Sequence, residues 1–299
     1  MTDDRLASAI GLRVASAALF AVMNLGIKLA EAGGARLPEI LFFRQGGAAL
    51  LVAGVVAAGP GMRSLRSARM GAHVVRCVVG LSTMACAFGA VMRLQLAEAT
   101  TLSFSMPIFA TVLGALVLGE PTGWRRWAAV LTGFAGVLLV ARPGGGQLPA
   151  DGVALGVAAA FGTACVSILL RQIGRTERPM TTVFWFSTLS LVPLAPVFAL
   201  HVHAHPPRVW ATLLGVGLLG GAAQLAMTAS LARGPVSVVV PMDYTALLWA
   251  TLLGWLAFGD LPAAQIWAGA PLIVGSGLFI VWREHVRRRL AVSRVLSDE

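Results

Sequence analysis

Apolar residues run through this chain in blocks of about twenty, each closed by a short cluster of arginine, proline, glycine or acid. A helix that crosses a bilayer needs about 20 consecutive, mostly apolar residues. Ten blocks meet that rule, near 11–31, 38–58, 71–92, 97–118, 125–142, 152–171, 180–200, 209–231, 236–258 and 264–282. They nearly exhaust the 299 residues and leave no room for a soluble catalytic domain. The pattern predicts an all-α integral membrane protein. One block stands apart. Pro241–Asp260, PMDYTALLWATLLGWLAFGD, is apolar enough to cross, yet it holds Asp243, the single tyrosine Tyr244 and a helix-breaking proline.

That block has an earlier relative. Thr111, Leu113, Gly114, Leu116, Gly119 and Glu120 stand 140 residues before Thr251, Leu253, Gly254, Leu256, Gly259 and Asp260. At an offset of 141, Gly11, Ala17, Ala18 and Phe20 match Gly152, Ala158, Ala159 and Phe161, and Pro38 and Phe43 match Pro179 and Phe184. The third helices need an offset near 135, which brings Leu96–Ala97 onto Leu231–Ala232. The chain thus reads as two copies of one unit, 1–146 (helices 1–5) and 147–299 (helices 6–10 and a basic tail). The glycine-rich stretch after Arg142 is a linker; it lacks the lysine and hydroxyl ending of a phosphate loop. Five spans per copy is an odd number, so the copies must cross the membrane in opposite senses. Inverted repeats of this kind recur in secondary transporters that bind substrate near the midplane.

Charge fixes the orientation. Charged residues are 12% of the chain, against about 25% in soluble domains. The net charge of +10 reflects the positive-inside rule rather than nucleic acid. With the N-terminus inside, seventeen of the 23 basic residues, Arg13 and Arg76 among them, fall on inside ends and loops, and four fall outside. Both termini are expected in the cytoplasm and the protein in the inner membrane. The acidic start MTDDRLAS is no cleavable leader. Cys77, Cys86 and Cys165 sit in spans and form no CxxC motif, as small buried hydrophobes do.

LGALVLGEP (113–121) and LLGWLAFGDLP (252–262) end the fourth helix of each copy, and in this the chain resembles EamA-type transporters of the drug/metabolite transporter superfamily. The likeness covers about 10–283. Asp260 stands where the family usually writes glutamate. The resemblance implies a ten-helix fold of two five-helix repeats and carriage of amino acids, S-adenosylmethionine, riboflavin, sugars or opine-type chelators. It favours export.

Charges inside spans cost about 2.5–3.5 kcal/mol each at the helix centre, so they need partners or a wet cavity. Lys28, Arg44 and Asp243 are therefore candidate substrate ligands. Arg44 offers a planar fork for a carboxylate; Asp243 offers a ligand for an amine or a coupling proton, or else a structural ion pair with Arg44 or Lys28. Asp243 lies roughly 12 Å deep at 1.5 Å per residue, and ~9 Å from Arg44 along the axis of a ~30 Å core. Asn24 shares a helical face with Lys28 and, like Gln224, is a candidate ligand or interhelical glue. Tyr244 and Trp249 are candidates for an aromatic wall, and Trp185 for the wall or an interfacial anchor. Pro107 and Pro241 are expected either to free cavity-lining carbonyls or merely to kink their helices. Glu120 and Asp260 read as structural or gating ends. His201, His203 and His205 lie in a loop expected to be solvated rather than to bind metal. The C-terminal REHVRRR is expected to meet anionic lipid.

These features predict a secondary active transporter for a small amino-acid-like or opine-like zwitterion, working by alternating access and without enzyme activity, cofactor or resident metal. The substrate, membrane lipids and protons are its expected partners, and it is expected as a monomer or homodimer. The alternatives are an importer of S-adenosylmethionine or riboflavin, or a channel or scaffold.

Overall fold

Proline marks where several helices begin, because a missing N–H costs nothing in the first turn. The computed structural model describes residues 3–117, 123–141, 148–174, 176–233 and 240–297. Its helices are α1 (Asp3–Ala32), α2 (Leu37–Ala58), α3 (Met70–Arg93), α4 (Leu96–Ser103), α5 (Met106–Val117), α6 (Trp124–Ala141), α7 (Ala150–Ile173), α8 (Pro179–His201), α9 (Pro207–Arg233), α10 (Thr245–Phe258) and α11 (Ala264–Ser297). Short 3-10 turns occupy Met62–Leu65 and Val240–Tyr244. Among the described residues there is no strand. Among the described residues, seven helical stretches are long and apolar enough to cross a membrane, and Trp127–Val140, Met242–Phe258 and Ile266–Ile280 are shorter apolar helices. Glu120, Arg142 and the glycine linker lie outside the described residues.

The block at 97–118 is broken into α4 and α5 at Phe104–Ser105. Pro107 lacks an N–H, and its ring clashes with the carbonyl four residues back, at Ser103. The hydroxyls of Ser103 and Ser105 donate to the carbonyls of Thr100 and Leu102, each at 2.7 Å. Those two carbonyls also accept the Phe104 and Ser105 amides, so the serine hydroxyls reinforce the last turn of α4 ahead of the break. Pro241 lies in the 3-10 turn that precedes α10. Past α10, Gly259 turns left-handed at φ 71°, which closes the glycine–acid motif.

Packing joins the halves crosswise. α1 packs on α9 and α3 on α7; α2 meets α9 and α3 meets α8; α2 meets α8 and α6 meets α11. Hydroxyls fasten the α1–α9 seam: Ser16 donates to the Ala223 carbonyl at 2.8 Å and Ser230 to that of Ala9 at 2.6 Å. At the α2–α9 crossing a Cβ on Gly47 would strike the Gly217 backbone, and one on Gly217 the Phe43 carbonyl. Bare glycines let the two backbones touch. The outward faces carry apolar side chains, among them Leu50, Leu116, Val192 and Leu200, which suits lipid rather than water.

Loops sort onto two ends. At one, the Trp185 indole donates to the Leu65 carbonyl at 2.8 Å, and Ser67 donates to Glu177 at 2.6 Å. At the other, fully buried Glu39 accepts from the Arg36 amide at 2.7 Å and meets the His205 ring at 2.8 Å. His205 also packs on Trp210 and is buried. That corrects its expected solvation: the histidine is the polar cover for a buried carboxylate.

Candidate functional site

A cavity of about 660 Å³ opens among α1–α3 and α7–α9, three helices from each half. That volume falls within the roughly 300–1,000 Å³ of small-molecule pockets. Phe20, Phe88 and Phe186 give it aromatic walls, and Met23, Met84 and Met227 fill between them with adaptable thioethers. Thr163, Thr182 and Ser187 add hydroxyls, and Gln224 an amide.

Two guanidiniums set its electrostatics. Arg44 comes from α2 and is 5% exposed. Its Nη1 lies 3.5 Å from Gln45 Oε1, and its buried Nε has no partner among the described residues. Arg76 comes from α3 and lies face-on over Phe186, 4.0 Å from the ring centroid, an attraction of cation and π-face. Its buried Nε and Nη1 also lack partners among the described residues. Glycines make room for both: a Cβ on Gly220 would meet the Arg44 side chain, and one on Gly80 the Arg76 guanidinium. Glu177 is the carboxylate in the described lining, at the end where Ser67 holds it.

Of the residues singled out from sequence, Arg44 and Gln224 line this cavity. Asp243 does not. Its two oxygens accept from Nε and Nη2 of Arg13 in a bidentate pair. The alternative of a structural ion pair is met by Arg13 rather than by Arg44 or Lys28, because Arg13 lies inside α1 at 7% exposure instead of at the solvated end. Arg13 thereby ties α1 to the 3-10 turn ahead of α10. Lys28 sits 5.3 Å from the Phe258 ring centroid, with the Glu98 carboxylate in coulombic reach. Asn24 is half-buried one turn away on α1. Tyr244 meets Phe104 edge-on at 4.8 Å, and its hydroxyl abuts Gly277. Trp249 keeps a buried indole N–H without a partner among the described residues. Asp260 follows the left-handed glycine at the end of α10, and Trp185 anchors a loop. Among the described residues, neither the α4–α5 break nor the 3-10 turn ahead of α10 contributes to the cavity lining.

Hydrophobic patterning does not single out Arg76 or Glu177. By its position Arg76 counts with the inside charges, although it lies six residues beyond the start of α3. That depth is the one sign in the sequence that it enters the span. Among the described residues no cluster of histidine, cysteine and acid is arranged to hold a metal.

The EamA-like transporter family matches the chain twice, over residues 7–142 and 150–282. A riboflavin transporter of Vibrio cholerae is 32% identical over 233 residues, covering 76% of this chain and 77% of that protein. A pseudopaline exporter, CntI, of Pseudomonas aeruginosa is 29% identical across 92% of this chain and 96% of its own. An S-adenosylmethionine uptake transporter of Rickettsia bellii is 22% identical across 75% of this chain and 77% of its own. A chain solved by crystallography shares the fold at a TM-score of 0.62 and 23% identity, covering 94% of this chain and 98% of that one. A cavity walled by both halves, apolar helices long enough to span and a family match on each half agree: this is a multi-pass small-molecule transporter, and the chain belongs to the EamA-like transporter family.

Proposed function

We propose that the protein is a secondary active transporter of ten membrane helices, built as two inverted five-helix repeats, 1–146 and 147–299. The crosswise packing supports this reading. First helix on third, second on second and fifth on fifth is the pattern that a two-fold axis between halves would give. The protein sits in the inner membrane with both termini in the cytoplasm, as the basic bias of its loops demands. It moves a small amino-acid-like or opine-like solute bearing carboxylate and amine groups. Export is the direction named for the relative that matches along 92% of this chain. A gradient of substrate or protons drives it.

The observation that carries the reading is Arg44, a buried guanidinium whose Nε–H has no partner among the described residues and which lines a cavity between the halves. An unpaired buried cation is costly, and a carboxylate relieves that cost through charge-assisted hydrogen bonds. Gln224, also in the lining, offers donors and an acceptor for the rest of the solute. Counterflow in proteoliposomes with labelled carboxylated amines tests the proposal. Saturable, trans-stimulated uptake is expected, with its loss in Arg44→Gln. Linear uptake without trans-stimulation would make the protein a channel; wild-type behaviour of Arg44→Gln would remove the arginine from the site. The three phenylalanines also suit a flat ring system, so riboflavin belongs in the same assay as the competing solute.

A further inference from the structure

We propose that the cavity recognises a solute with two separate anionic groups, one held by Arg44 and the other by Arg76. The proposal rests on the transporter reading above and narrows its substrate. The chain shows what its structural arginines look like. Each has a carboxylate partner: Arg13 spends two donors on Asp243, although its buried Nη1 has no partner among the described residues, and Arg93 reaches the Asp151 carboxylate and the Gly89 carbonyl. Arg76 spends neither Nε nor Nη1 on any described group, although both atoms are buried. Phe186 lies under the guanidinium, with its ring centroid 4.0 Å from Cζ, and Arg76 itself lines the cavity. Gly80 keeps clear the space that this guanidinium occupies, as Gly220 does for Arg44.

Like charges in one cavity repel, and a buried guanidinium (Arg44) beside a half-buried one (Arg76), neither with an ion-pair partner among the described residues, is an unfavourable resting arrangement. A single carboxylate can offset one of them. Glu177 lies in the same lining, but its Oε1 is engaged by Ser67, and among the described residues neither cavity arginine forms an ion pair with it. Depth sets the spacing. Arg44 lies seven residues into α2, which starts at the Glu39 end, and Arg76 lies six residues into α3, which starts at the Ser67 end. At 1.5 Å per residue across a ~30 Å core, their backbones are about 10 Å apart along the membrane axis. Arginine stems narrow that gap, so a short spacer between the anions spans it.

The test is a thermal-shift titration of the detergent-purified protein with α,ω-diacids from succinate to suberate, each beside its monomethyl ester. Ligands that bind only the folded state raise its stability. Wild type is expected to bind the best diacid about tenfold or more tightly than its monoester, as befits one added charged hydrogen-bonding contact. Arg76→Gln is expected to abolish the preference for the diacid over its monoester. Gly80→Ala, which pushes the guanidinium aside without removing it, is expected to weaken the diacid alone. The proposal is overturned if no diacid binds wild type, if diacid and monoester bind equally, or if Arg76→Gln keeps the diacid preference. Wild-type data alone can thus overturn it, whatever the variants' folding. Counterflow separates the two readings. Trans-stimulated exchange of any solute without diacid preference retires the two-anion site and keeps the transporter. Arg76-dependent diacid binding without exchange does the reverse.

Discussion

A charge inside a membrane helix is a conspicuous residue, and the cost of burying it makes Arg44 stand out on sequence alone. The same cost does not say where the partner is. Asp243 finds Arg13, 230 positions away in sequence. Removing Asp243 from this half-buried pair leaves the buried Arg13 uncompensated. Asp243→Asn is therefore expected to destabilise the detergent-solubilised protein by about 1–3 kcal/mol, tempered because Asp243 is 42% exposed. Arg13→Gln/Asp243→Asn should recover part of that loss. Melting curves of the three variants check it, and a double variant as weak as the sum of its parents would argue that the pair is uncoupled. Arg44 and Gln224 were legible in sequence because polar groups are scarce in those blocks. Arg76 was not, because near a span end a cation can reach solvent along its stem, and only tertiary packing reveals that Phe186 covers it.

Helices were legible as hydrophobic runs, and their interruptions as prolines. The block at 97–118 breaks just ahead of Pro107, as backbone chemistry requires, but which neighbours the break would meet is set by tertiary packing, and among the described residues none at the break lines the cavity. Interhelical contacts were less legible, since a glycine in a membrane helix does not name the glycine it meets. Gly47 and Gly217 meet backbone to backbone. Gly47→Leu is expected to force α2 and α9 apart and to cost about 1–3 kcal/mol as an overpacked contact. Gly54→Leu is the control, because a Cβ there meets nothing within 4 Å. Equal melting temperatures for the two variants would show that the crossing tolerates separation.

At the scale of the molecule, the two-copy pattern was legible, and the family matches each half, whereas the cavity needed six helices assembled from both halves. The ends of the molecule give a direct check. Ser67 and Glu177 lie together, and His203 lies with Glu39 at the far end. In a background lacking Cys77, Cys86 and Cys165, single cysteines at Ser67 and Glu177 are expected to react with impermeant maleimide only from the cytoplasm, and one at His203 only from outside. Labelling of all three from one face would overturn the layout. The glycine crossing has a last consequence for the cell. A seam closed by side chains opens whenever a rotamer flips, and a thread of water across it would let protons run downhill. Two backbones in contact have no rotamers to flip. Where Gly47 meets Gly217 even a Cβ finds no room, and still less the one probe sphere that a water needs, so the seam is closed to water at that point.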